Sequence, residues 1–290
     1  MKVNLLIIGA GRSGTTSLCE YLKRHPEICF STMKEIPFFS IEEIYQRGFK
    51  YYHSFFKHPD KPVIASSDTY LLIDRKAPER IKQYNPDIKI IIIMREPVER
   101  AYSSYIYAIN NGHQKKEISF KESLLLEDKN INQKDIITQN NLGHFYSGLY
   151  YKHIKYWMKF FPEKNFLLLK TTDLKNKPSK TLSTISSFLG ISDFKNIDEI
   201  HINKASGVKS MFLHRFFIDR NNSIRKFFGF ITPIFFKKIV FNSGIIKRIN
   251  QLNAKKTNYY TKLTEKDKEM GTPYFAEDLK NLKEEFHITF

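Results

Sequence analysis

The chain has only two cysteines in 290 residues, Cys19 and Cys29. They provide neither a disulfide framework nor a zinc spacing, so a reducing compartment fits and a cytoplasmic location is expected. Long apolar runs are also missing. The best candidate, Phe227–Phe236, is about half the ~18–20 residues of a membrane span and runs into Lys237 and Lys238. The opening MKVNLLIIGAGRSG does not read as a secretory leader, because Val3–Ile8 is too short an apolar run. There is no internal repeat and no low-complexity linker. Acidic residues are outnumbered, 30 Asp and Glu against 47 Lys and Arg, giving a formal net charge of +17. Such an excess implies an anionic partner: nucleotide, nucleic acid, acidic glycan or lipid headgroup. Lysines scattered singly among Asn, Ile and Phe read equally well as a solvated surface. What is present is a 41% hydrophobic fraction, enough for a large core, which excludes wholesale disorder. The length suits one domain over residues 1–290 with a helical C-terminal extension.

Val3–Ile8 is a continuous apolar run bounded by Gly9 and predicts a strand buried on both faces. Helical spacing follows over Thr15–Arg24 and ends at His25-Pro26, since the residue before proline avoids helical angles. Val63–Ala65 predicts a weaker strand, Pro78–Tyr84 a helix, and Ile88–Met94 a second strongly apolar strand. Pro97 opens a helix to about Asn110. Tyr146–Phe161 has helical spacing with Leu149, His153, Tyr156 and Phe160 on one face. Phe166–Leu169 predicts a third strand, Ser179–Leu189 a helix ended by Gly190, and Tyr274–Phe286 a last amphipathic helix. Strands alternating with helices make an α/β fold with a central parallel sheet, and ligands bind such sheets at the carboxyl ends of the strands. Residues 211–250, rich in Phe and basic residues, predict amphipathic helices within a basic subregion at 211–260.

Gly9-Ala10-Gly11-Arg12-Ser13-Gly14-Thr15-Thr16 lies between a predicted strand and a predicted helix. Glycines let backbone N–H groups turn inward, the helix N-terminus adds partial positive charge, and the Ser13, Thr15 and Thr16 hydroxyls can donate, so this is an anion cradle. It departs from the nucleoside-triphosphate loop G-x-x-x-x-G-K-S/T at one place: Thr15 stands where that loop has lysine, and Arg12 carries the charge earlier. The second apolar strand ends in Arg95, a cation where a magnesium site wants an acid, so no metal is expected. Arg95 and Ser103, two turns into the next helix, can together hold a phosphate. Arg100 reads as a structural ion pair on that helix's exterior. Lys34-Glu35-Ile36-Pro37-Phe38-Phe39 is a rigid, partly apolar loop. It reads either as a surface ion pair or as an acid set beside a desolvated pocket, where it would serve as a base.

Together these residues resemble the sulfotransferase family that uses 3′-phosphoadenosine 5′-phosphosulfate (PAPS), as a bacterial member of its glycan branch. Arg12-Ser13-Gly14-Thr15-Thr16 is similar to the family's 5′-phosphosulfate loop, with Gly11 leading into it, and Arg95 with Ser103 to its 3′-phosphate motif. KEIPFFS (Lys34–Ser40) resembles the loop that carries the glutamate base in the branch that includes heparan sulfotransferases. RGFKYYHSFF (Arg47–Phe56), Asp68–Tyr70 and Tyr146–Leu174 are similar more loosely. Two departures stand out. Ser66 or Ser67 occupies the place of a lysine common in glycan members, and the late Gly-rich cofactor loop falls on Asn203–Lys209, where Lys204 and Lys209 would meet the donor's phosphates.

The resemblance implies a P-loop-like fold and in-line sulfuryl transfer from PAPS, without metal, to a hydroxyl or amine of a carbohydrate or glycolipid. Glu35 would be the base, Arg12 the charge stabiliser, and Lys34 a substrate contact or leaving-group support. His53 and His113 are alternative bases outside any matching motif. Two other readings share some of these features. One is a nucleotide kinase or NTPase, which needs magnesium and a loop lysine. The other is a nonenzymatic basic module contacting membrane or nucleic acid through residues 211–250. The sulfotransferase reading expects no nucleic acid partner and allows peripheral membrane contact.

Overall fold

In the computed structural model the residues described are 1–131, 134–195 and 262–290, together with the short strands Ser206–Val208 and Ala254–Lys256. The chain divides into two compact units, Met1–Ser104 with Ser119–Ile202 and Leu263–Phe290, and Tyr105–Ile118 with Asn203–Lys262. In the second unit Ser206–Val208 pairs antiparallel with Ala254–Lys256. Lys204, Lys209 and the Phe-rich stretch 211–250 lie outside the described residues.

The first unit is built on strands β1 (Leu5–Gly9), β2 (Ile28–Phe30), β3 (Val63–Ser67), β4 (Lys89–Met94) and β5 (Phe166–Lys170). They form one sheet in the order β2-β3-β1-β4-β5, every neighbouring pair parallel. The two long apolar runs of the sequence thus become the central pair, buried on both faces as parallel strands require. Successive side chains alternate between faces. Leu5, Ile7, Ile91 and Ile93 meet the helices Thr15–Lys23 (α1) and Pro178–Leu189, whereas Leu6, Ile8, Ile90 and Ile92 meet Tyr150, Trp157 and Leu282. Each such fully buried aliphatic side chain contributes roughly 1.5–3 kcal/mol over its exposed state.

β2 was not evident in the sequence, because three residues show no periodicity. Tyr146–Phe161 is not one helix. A 3₁₀ turn, Tyr146–Gly148, is followed by an α-helix, Tyr150–Trp157, whose buried face is Tyr150, His153, Ile154 and Trp157. Leu149 breaks helical geometry at φ −77°, ψ 71°, which rotates the following turns and changes the inward face. Gly148 permits this approach, since a Cβ there would lie 2.9 Å from Phe275.

The last helix starts earlier than its apolar pattern indicates, at Glu265, and runs to Phe286 with Pro273 inside it. A capping box between Thr264 and Asp267 fixes that start. Its Asp278 carboxylate accepts hydrogen bonds from Tyr151 N and Lys152 N, both at 3.0 Å, and so caps the Tyr150–Trp157 helix. No described helix is long and apolar enough to cross a membrane.

Candidate active site

The loop from β1 into α1 crosses the carboxyl end of the sheet. Ala10 N donates to Ile93 O at 2.8 Å, which ties the loop to β4. Arg12 and Gly14 adopt left-handed backbone angles, φ 69° and 88°. At Gly14 this conformation begins α1, and a side chain there would be strained and would meet Thr171. Arg12 tolerates the same region as a non-glycine residue, a strain characteristic of functional loops. The Thr171 hydroxyl, 2.6 Å from Ser13 O and 3.0 Å from Met94 O, fastens the loop to the ends of β4 and β5. Ser13 and Thr15 are buried, Gly11, Arg12 and Gly14 half-buried, and Thr16 exposed.

The helix after β4, Pro97–Asn110 (α2), brings the second anchor to this loop. Arg12 Nε lies 3.4 Å from Ser103 Oγ, although 91 residues separate them. Arg95 at the end of β4 has its backbone held by Tyr150, whose hydroxyl donates to Arg95 O at 2.8 Å. Its guanidinium pairs with Glu99 at 2.8 Å in a partly exposed contact. Surface pairs of this kind exchange readily for another anion.

Arg100 does not lie on the helix exterior. It is 2% exposed, and its guanidinium donates to Gly11 O at 2.9 Å and His144 O at 2.6 Å. The exterior assignment fails because its partners, 89 and 44 residues away, leave no local signal. Burial lowers its pKa from the ordinary arginine value, with the neighbouring Arg12 charge acting in the same direction, while Tyr150 and Glu127 oppose the shift. Glu127 accepts hydrogen bonds from Phe145 N at 2.9 Å and from Tyr146 N, and burial pushes its carboxyl up to about 7. His144 and His153 are both enclosed, and burial brings each down to about 3.

The glutamate loop passes the end of β3. Glu35 N donates to Ser67 O at 3.1 Å, and Glu35 adopts φ 61°. Its Oε2 accepts from Thr69 N at 2.8 Å and Thr69 Oγ1 at 2.9 Å, while Lys34 Nζ lies 2.5 Å from Oε1. The Lys34 and Glu35 side chains remain 24% and 30% exposed. The pair is therefore an ion pair, as one sequence reading expected, yet it belongs to the site. A Cβ on Gly11 would sit 3.7 Å from Thr69 Oγ1 and 3.9 Å from Arg100 Nη2. Gly11 is thus the point where the anion loop, the residue that holds Glu35 and the buried arginine converge.

Below this point Ser66 and Ser67 are buried, so no cation stands at their positions. Asp68 is enclosed beside them, and burial together with the Glu35 charge raises its carboxyl well above the ordinary carboxylate range. Cys19, buried near Ser67, has its thiol pushed up to about 11 by burial, which leaves it a poor nucleophile. His53 is elsewhere: its Nε2 is 2.9 Å from the Tyr84 hydroxyl, which accepts from Val3 N at the opposite end of the sheet. His113 belongs to the second unit. Thr69 and Thr171 were not assigned to the site from the sequence, and Arg100 was placed on the helix exterior, since each acts through partners distant in the chain.

An α/β unit with an anion loop at the end of its first strand, an arginine at the end of its fourth and a serine facing the loop defines a class. The chain belongs to the sulfotransferase domain family, whose model matches residues 2–228. It is 31% identical over 191 residues to heparan sulfate glucosamine 3-O-sulfotransferase 5 of Mus musculus, covering 64% of this chain and 53% of that protein. It is 27% identical over 203 residues to the human heparan sulfate glucosamine 3-O-sulfotransferase 3B1, covering 70% of this chain and 50% of that one. The chain therefore spans about half the length of these curated relatives. Among solved structures, a sulfotransferase from Alicyclobacillus acidocaldarius superposes with a TM-score of 0.67 at 20% identity, over 100% of this chain and 98% of that one. That likeness is one of fold.

Proposed function

We propose that this chain transfers a sulfuryl group from PAPS to a hydroxyl or amine of a carbohydrate or glycolipid acceptor. The observation that carries the reading is the convergence at Gly11, with the anion loop and Ser103 on one side and the Glu35–Thr69 pair on the other. The donor set suits a ligand with two anionic groups, one met from the anion loop and one from the end of β4 and the helix after it. Arg12 with the loop N–H groups and the Ser13, Thr15 and Thr16 hydroxyls would hold its 5′ end, and Arg95 with Ser103 its 3′-phosphate. When bound, PAPS supplies an activated sulfuryl group on a stable leaving group. Glu35 accepts the acceptor's proton. Thr69 fixes one of its oxygens, and Lys34, beside the other, contacts the acceptor or supports the leaving group. Arg12 stabilises charge at the transferred group's oxygens, the preorganised electrostatics on which such transfers depend.

Lys204 and Lys209 are proposed as further donor contacts, and the 211–250 stretch as a peripheral membrane contact that would suit a lipid-linked glycan. The relatives are heparan sulfate glucosamine 3-O-sulfotransferases, which supports a glycan acceptor. Two measurements test the reading. Calorimetric titration should show tighter binding of 3′-phosphoadenosine 5′-phosphate (PAP) than of ATP–magnesium, and a preference for ATP would reject it. A radiolabelled sulfate-transfer screen over glycans, glycolipids and phenols should label a glycan class, and label confined to phenols would remove the carbohydrate assignment.

A further inference from the structure

An anion cradle works only if its carbonyl oxygens face away from the ligand while its N–H groups face toward it. Turning a carbonyl inward to the protein creates a second requirement, because a buried C=O without a donor is costly. Gly11 meets both conditions through one side chain. Its carbonyl accepts from Arg100 Nε at 2.9 Å, and the same guanidinium holds His144 O at 2.6 Å. The next residues, Phe145 and Tyr146, have their N–H groups held by the Glu127 carboxylate. Arg100 therefore spans between the anion loop and a segment that is itself clamped. It is 2% exposed, so its charge is poorly screened beneath the loop that carries Arg12.

The geometry points to Arg100 as a positioning residue that turns the Gly11 carbonyl out of the donor site and places a permanent positive charge behind the 5′ anion. It touches no reacting atom. Its effect is exerted through the loop, and so falls on donor binding rather than on acceptor binding. The inference rests on the PAPS reading and adds to it a determinant of donor affinity buried outside the ligand's reach.

The full chain and its Arg100→Gln and Arg100→Lys variants are titrated with PAP by calorimetry, with circular dichroism and melting temperature recorded for each. Loss of a charge-assisted hydrogen bond corresponds to roughly 10- to 100-fold in affinity. The Gln variant should weaken PAP binding by that factor, the Lys variant should recover part of it, and the KM for heparan sulfate as acceptor should stay within about 2-fold. A folded Gln variant that binds PAP as tightly as the wild type overturns the inference. If the Gln variant does not fold, the wild type supplies the readout. The Arg100 Nε–H resonance, assigned by its absence in the Lys variant or by selective labelling, should move on PAP addition, and an unmoved resonance overturns the inference. A wild type that binds no PAP removes the functional reading along with it. A wild type that binds PAP beside an equally competent Gln variant removes only the role of Arg100.

Discussion

The two sides of the site are built by different means. On the donor side, the loop is held from below by groups sealed from water. Arg100 is 2% exposed, Ser13 and His144 are fully buried, and the Thr171 hydroxyl fastens Ser13 O and Met94 O. On the acceptor side, Glu35 depends on Thr69 and Lys34, and the two ion-pair side chains are 24% and 30% exposed. Under the proposed function, the support of the donor loop is thus a property of the core, while the Arg95 guanidinium and the acceptor chemistry lie nearer the surface. A scaffold arranged in this way can keep its donor while its acceptor changes, because the glutamate loop can vary without disturbing the network beneath the anion loop.

The contrast predicts separable defects. Glu35→Gln should lower kcat by ~10²–10⁴ while leaving the PAP dissociation constant within about 2-fold, measured by sulfate transfer and calorimetry. A Gln variant of near-full rate would remove Glu35 from the acceptor side. The donor side's burial should next appear in the pH dependence of stability. His144 and His153 are held at about 3 by burial, below the ordinary value of ~6.5. Between those values the unfolded chain binds protons that the folded one does not, so the histidines' contribution to stability is full above pH ~6.5 and is lost as the pH drops toward 3. At ~1.4 kcal/mol per unit the two together remove several kcal/mol. Glu127 acts in the opposite sense: with its carboxyl raised to about 7, stability declines as the pH rises from ~4.5 to 7. Melting temperature against pH should show the steep acid limb, and His153→Gln should flatten it. A pH-independent acid limb would mean that the burial beneath the loop is not tight.

Smaller effects separate the two sides further. Ser103→Ala removes the contact with Arg12 and should weaken PAP binding by roughly 3- to 10-fold with kcat little changed. Thr69→Val keeps the Thr69 N–H bond to Glu35 and loses only the hydroxyl, so kcat should fall by about 2- to 5-fold at constant PAP affinity. Equal changes in donor affinity for both variants would erase the distinction.

Much of the donor side could be read from residue order alone. The runs Val3–Ile8 and Ile88–Met94 became the two central strands, and the Gly-rich turn and the Arg95/Ser103 spacing fall at their carboxyl ends as parallel-sheet geometry demands. Local signals sufficed there because glycine, proline and apolar runs act on the backbone where they stand. The supports of the site were not legible for the converse reason. Arg100 looks like any charged helical residue until residues 144–146 pack over it, and Thr69 has no motif until Glu35, 34 residues earlier, reaches it. The early start of the last helix was hidden because its first turns are polar and contain Pro273, so hydrophobic periodicity begins only where the helix meets the core.

That helix carries a consequence for long-range coupling. Asp278 caps the helix that begins at Tyr150, and the Tyr150 hydroxyl grips Arg95 O. A change at Asp278 is therefore transmitted through one helix terminus to the backbone of the strand end that carries Arg95, although Asp278 touches no side chain of the site.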